Sequence, residues 1–141
     1  MPTERTTLQQ LAELRLAEAK LLAKEGQFSG AYYIAGYAVE CALKALIAAQ
    51  FRQHEIPDKS LVDKIYTHNL AALLGLSGLG ESFDAARHAD PELDRRWSIA
   101  KNWSEQARYS VWTRSETLAM IDAIDGNGET EGLFQWLSAR W

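Results

Sequence analysis

Glu40 and Lys44 are the two charges in the run Ala31-Tyr-Tyr-Ile-Ala-Gly-Tyr-Ala-Val-Glu-Cys-Ala-Leu-Lys-Ala-Leu-Ile47. A carboxylate set among so many apolar side chains costs free energy unless it is paired. On a helix the i,i+4 spacing brings the two together with the acid first, the better orientation. Such a pair can line a nucleotide pocket. It can equally be a structural pair, with Arg15 of the preceding helix or a tyrosine hydroxyl as a further partner for the acid, and it can help fix helix register. Tyr33 and Tyr37 fall on the same side of the helix. They can stack a base or fill the core with a hydroxyl at its margin.

A second constellation lies near the C-terminus. Arg95, Arg96, Lys101, Arg108 and Arg114 alternate with Trp97, Trp103 and Trp112. Cations interleaved with aromatic rings suit RNA or nucleotide contact. An amphipathic helix with tryptophans inside and arginines outside gives the same pattern. Arg108 and Tyr109 sit where helical periodicity breaks, and a basic group at a break can meet a ligand. The binding candidates are therefore Arg108, Tyr109, Trp103, Arg114 and Lys101. His68 is a candidate for proton transfer, with helix capping or a hydrogen bond in the core as the plainer alternatives. Asn69 reads as a cap or turn residue.

Other chemistries lack their residues. The three histidines, His54, His68 and His88, are far apart and none follows a Glu-x-x spacing, so no metal site is expected. No phosphate-cradling glycine motif and no nucleophile elbow occurs, and no cofactor is expected. Cys41 lies within the apolar run and reads as a small hydrophobe. One cysteine permits no internal disulfide, which suits a cytoplasmic location.

These groups must be positioned by helices. Leu8, Leu11, Ala12, Leu16, Ala19, Leu22 and Ala23 recur on one face of a helix from about Thr7 to Lys24, with Arg15 projecting from within that face. Gly26 stops it, and the short connection makes the next helix an antiparallel neighbour. That second helix should run from about Ser29 to Gln53. One stripe is Ala35, Val39, Ala42 and Leu46, and the opposite one is Tyr33, Tyr37, Glu40, Lys44 and Phe51. Helical character is expected within 58–75, looser chain around 82–89, and a long helix from Pro91 through Ala107. Thr113-Arg-Ser-Glu116 is a capping box that starts a helix to about Ile124, and Gly132 to Trp141 adds a short last one.

No segment alternates with period two. The sequence predicts an all-α, antiparallel up-and-down bundle of four to five helices, with residues 1–141 as one domain. The composition, 47% hydrophobic and 24% charged, is that of an ordinary globular chain. A net charge of −4 argues against a nucleic-acid grip spread over the whole surface, though a local basic strip remains compatible. The apolar run is too short and too charged to be expected in a bilayer, and the stretch Met1–Thr7 holds no apolar run of the signal-peptide kind.

The run Ala31–Lys44, the Arg15-Leu-Ala-Glu-Ala19 helix, Thr67-His-Asn-Leu70 and Trp103-Ser-Glu-Gln-Ala-Arg-Tyr-Ser110 together resemble the HEPN domain (higher eukaryotes and prokaryotes nucleotide-binding). The resemblance covers roughly Leu11 to Ile124 and is most specific in the second helix. It implies an HEPN-like helical bundle that dimerises. It also implies a minimal nucleotidyltransferase as partner, in a toxin–antitoxin-type pair. Active members are metal-independent ribonucleases with an Arg-x4–6-His motif, in which the histidine moves protons and the arginine stabilises phosphate charge. Here Arg108 matches the arginine by context, but Thr113, Arg114 and Ser115 stand where the histidine would follow. No arginine in the chain has a histidine at that spacing. Two readings follow: a non-catalytic module that binds nucleotide, RNA or protein, or a ribonuclease toxin with a displaced active site using Arg108 and His68.

Overall fold

The computed structural model describes residues 3–141; Met1 and Pro2, part of the N-terminal stretch read above, lie outside the described residues. Among the described residues the fold is all-helical, without strands. Its α-helices are α1 (Arg5–Lys24), α2 (Phe28–Ala48), α3 (Lys59–Ile65), α4 (Leu70–Leu76), α5 (Gly80–Ala89), α6 (Pro91–Ala100), α7 (Arg114–Asp125) and α8 (Leu133–Ser138), with a 3-10 turn at Glu105–Tyr109. Where four or five helices were expected, the described residues hold eight: the stretch 58–75 divides into two, and the stretch read as loose forms one of its own.

Burial of α2 organises the rest. Thirteen of its residues, from Ala31 to Ile47, are buried. The alanines at 31, 35, 38, 42 and 45 are wholly covered, so neighbours approach its backbone closely. By length and hydropathy α2 could cross a membrane, contrary to the expectation from sequence. Yet 72% of that stretch is buried inside the fold, the arrangement of a core helix. Helix α1 packs along it through Ala12, Leu16 and Ala19. Helices α4, α7 and α8 cover other sides, and α6 packs outside α7.

Each departure from the periodicity has an identifiable cause. Helix α2 ends at Ala48, five residues earlier than expected, and the Gln50 side chain leaves the helix to donate to the Leu76 carbonyl at 2.8 Å. The stretch 58–75 breaks before α4 because Asn69 caps a new start, its side chain accepting from the Ala72 N–H at 2.9 Å. That break holds His68. The stretch read as loose forms α5, anchored by the wholly buried Phe83. Helix α6 stops at Ala100 so that Trp103 can turn inward against Gly36, and Ser104 caps the following 3-10 turn. The capping box at Thr113 and Glu116 forms as read.

Arg96 is a polar residue in the core. Its guanidinium, 1% exposed, donates to the Asp122 carbonyl and, at 2.8 Å, to the Thr130 hydroxyl. Glu92 and Asp122 carboxylates lie 3.3 and 3.5 Å from it. It ties α6 to the end of α7 and to the loop beyond. In that loop Gly126 has φ +78, and a Cβ there would meet the Thr130 carbonyl oxygen at 2.3 Å, so only glycine fits.

A Cβ at position 36 would stand 2.2 Å from the Trp103 ring, which is itself buried and cannot step aside. Gly36→Ala is expected to destabilise by about 1–3 kcal/mol despite the better helix propensity of alanine. Thr113→Ala, which removes a cap, should cost about 1 kcal/mol. Urea unfolding of the two variants beside the parent measures both.

Candidate functional site

The second stripe of α2 forms a line of polar and aromatic groups with a cation at each end. At its N-terminal end the Trp103 ring stacks on Tyr33, centroids 5.8 Å apart, and Tyr33 on Tyr37 at 6.4 Å. The Arg108 guanidinium lies over the Tyr109 ring, 4.9 Å from its centroid. The phenol oxygens of Tyr109 first, then Tyr33, raise the Arg108 pKa above its ordinary value, so it stays charged. Tyr109 is 73% exposed, and Arg108 has no carboxylate partner among the described residues. Cation and ring are therefore presented together to solvent.

Further along α2 lies Glu40, 2% exposed. Its Oε1 is bonded by His68 Nδ1, from the break before α4. Lys44 Nζ stands 4.0 Å from the same oxygen, beyond hydrogen-bond reach. Arg15 is half-buried beside this group but donates to Glu18 on its own helix, at 2.6 Å. The hydrogen-bond partner of Glu40 is thus a histidine that sequence did not offer, while Lys44, which it did offer, stands as a longer i,i+4 ion pair and Arg15 pairs elsewhere. The Asn69 cap was the available signal. It marks a helix start, which sets His68 outside the helix and free to turn onto α2. The His68 side chain is half-exposed, and its Nδ1 bond to Glu40 fixes which ring nitrogen remains for other partners.

The remaining candidates disperse. Trp103 is 2% exposed, wedged at Gly36, so it backs Tyr33 and offers no face to a ligand. Lys101 caps the exposed end of α6. Arg114 lines a shallow groove with Lys20 and Lys24 of α1, over Phe28 and Leu118. Arg95 pairs with Glu92 at 2.6 Å, and Arg96 is the core clamp described above. Sequence reasoning placed Arg96 among surface cations, although Leu93, Arg96, Trp97 and Ala100 have the spacing of one buried stripe.

His54 lies in the loop after α2, and His88 Nδ1 is 2.9 Å from the Asp84 carbonyl oxygen within α5. No group of three or more His, Cys, Asp or Glu side chains is arranged to hold a metal among the described residues. His68 and Arg108 meet α2 at Glu40 and Tyr33. These anchors are seven residues apart, or about 10 Å of helix axis. No family model, no curated protein and no solved structure matches this chain.

Two outcomes follow from this geometry. His68→Ala leaves the Glu40 carboxylate buried without its hydrogen-bond donor and should cost about 1–3 kcal/mol. Adding Glu40→Gln should cost less than the sum of the two single changes, the signature of a coupled pair in a double-mutant cycle. Cys41 gives a second test. Burial first, then the Glu40 charge, pushes its thiol up to about 11 from 9.0. Ellman's reagent at pH 8 should therefore label the folded protein far more slowly than the unfolded chain. Between the unfolded and folded values the folded state holds more protons. The Cys41 contribution to stability should accordingly fall as pH rises through that window.

Proposed function

We propose that this chain is an HEPN-like helical module that binds nucleotide or RNA without cleaving it. In this reading it works in the cytoplasm as a homodimer beside a minimal nucleotidyltransferase, in a toxin–antitoxin-type pair. The observation that carries the reading is the exposed Arg108–Tyr109 platform. Its guanidinium can grip a phosphate bidentately, and its ring can stack a base.

The lack of any Arg-x4–6-His spacing favours binding over cleavage, with His68 engaged at Glu40 and Arg108 lying over Tyr109. Hydrolysis through the 2′-hydroxyl needs a proton acceptor and a charge stabiliser at one phosphate. Arg108 cannot be the proton acceptor, because it remains charged at physiological pH. A homodimer draws support from Leu14 and Leu21, seven residues apart on α1 and 50% and 60% exposed, with Leu118 of α7 39% exposed. Exposed leucines on one helix face suit a helical interface.

Fluorescence anisotropy with labelled single-stranded RNA should show binding that weakens with salt. Arg108→Ala and Tyr109→Ala should each weaken it about tenfold. The same RNA incubated with protein in EDTA should stay intact. Light scattering should give a dimer mass that Leu21→Glu converts to monomer. Absence of RNA and nucleotide binding, or robust cleavage lost in Arg108→Ala or His68→Ala, would overturn the proposal.

A further inference from the structure

A groove of about 640 Å³ opens between the first half of α1, the second half of α2 and α3. It begins at Tyr37 and runs away from the Arg108 end of the stripe. Its walls are apolar: Leu8 and Leu11 of α1, Ile47 of α2, and Val62 and Ile65 of α3. Phe51 and Tyr66 also line it and are 40% and 84% exposed, which puts aromatic rings at its rim. Such a volume, walled by apolar groups with a few converging polar ones, is the usual form of a small-molecule site.

The converging groups are Glu40 and Lys44, both lining the groove. Their hydrogen bonding is incomplete in a complementary way. Glu40 gives Oε1 to His68, while Oε2 accepts no hydrogen bond among the described residues. The Lys44 side chain is 22% exposed, and its ammonium, 4.0 Å from Glu40, donates none among them. Neither free atom is among the buried atoms left without a partner, so both open to water, and a ligand that supplies the partner can replace that water. Here one acceptor and one donor stand side by side, and their formal charges cancel. A net anion would be repelled by Glu40, and a net cation by Lys44. A head group carrying both charges on adjacent atoms meets both.

We infer that this groove binds an apolar α-amino acid. The ligand ammonium would sit at Glu40, its carboxylate at Lys44, and its side chain between Leu11, Ile47, Val62 and the Phe51 ring. The inference stands on residues separate from the Arg108–Tyr109 platform and survives or fails independently of RNA binding.

The test is a titration of the isotope-labelled protein followed by amide chemical shifts, with L-phenylalanine as probe. Saturable shifts are expected at Leu11, Ile47, Val62 and Ile65. N-acetyl-L-phenylalanine loses the ammonium, L-phenylalaninamide loses the carboxylate, and glycine lacks the apolar body. Each should bind at least about tenfold more weakly than the parent. Lys44→Met should lower affinity for L-phenylalanine to that of the amide. Shifts that do not saturate, or that map outside the groove, would overturn the inference. So would any of the three analogues binding as tightly as L-phenylalanine to the unaltered protein.

Discussion

Nearly every contact in this molecule follows from the burial of α2 on almost all its sides. A helix covered in this way needs neighbours at close range, and small side chains along its length allow them. Ala12 and Ala19 of α1 meet it on one side, and Trp103 reaches its backbone at Gly36 on another. The price is that any polar group on α2 must be satisfied inside the fold. Glu40 meets that demand by drawing in His68, so the short connection between α3 and α4 is tied to the central helix. The polar stripe of α2 is thus both a structural necessity and the place where the candidate binding groups gather.

The electrostatics of the stripe differ from end to end. Around Glu40 the surroundings are largely desolvated, which raises the Tyr37 and Cys41 pKa values above their ordinary ones. Cys41 is thereby held as an unreactive thiol. At the other end Arg108 and Tyr109 face water, and screening by salt acts fully on them. A weak, salt-sensitive contact and a sheltered, orientation-selective one can therefore coexist on one helix.

Much of the architecture was legible in the residues. The long periodic runs of α1 and α2 announce themselves, as do the Asn69 and Thr113 caps, because these signals are local. The break after Ala100 was not legible. Its cause is the approach of Trp103 to Gly36, some seventy residues away in sequence, and no window on the chain contains both. Helix α5 was missed because the glycines before it read as punctuation, whereas Phe83 supplies the anchor through tertiary contact. At the site, sequence put Glu40 with Lys44 and Arg108 with Tyr109 but could not bring His68 to Glu40. The Glu40–His68 bond joins residues twenty-eight positions apart, and only the packing of α4 on α2 creates it.

Arg96 gives the C-terminal part of the molecule a property that helix packing alone would not. Its guanidinium is anchored in α6, but its acceptors belong to the last turn of α7 and to Thr130 in the loop before α8. If that loop peeled away, the charge would lose the Thr130 acceptor in a dry environment, and the Gly126 turn would lose its backbone bridge to Glu131. Fraying of α8 and its loop is therefore opposed by more than the apolar area they cover. The segment should open together with α6 and α7 as one cooperative unit, so amide protons there would exchange at rates set by the global transition instead of by local breathing.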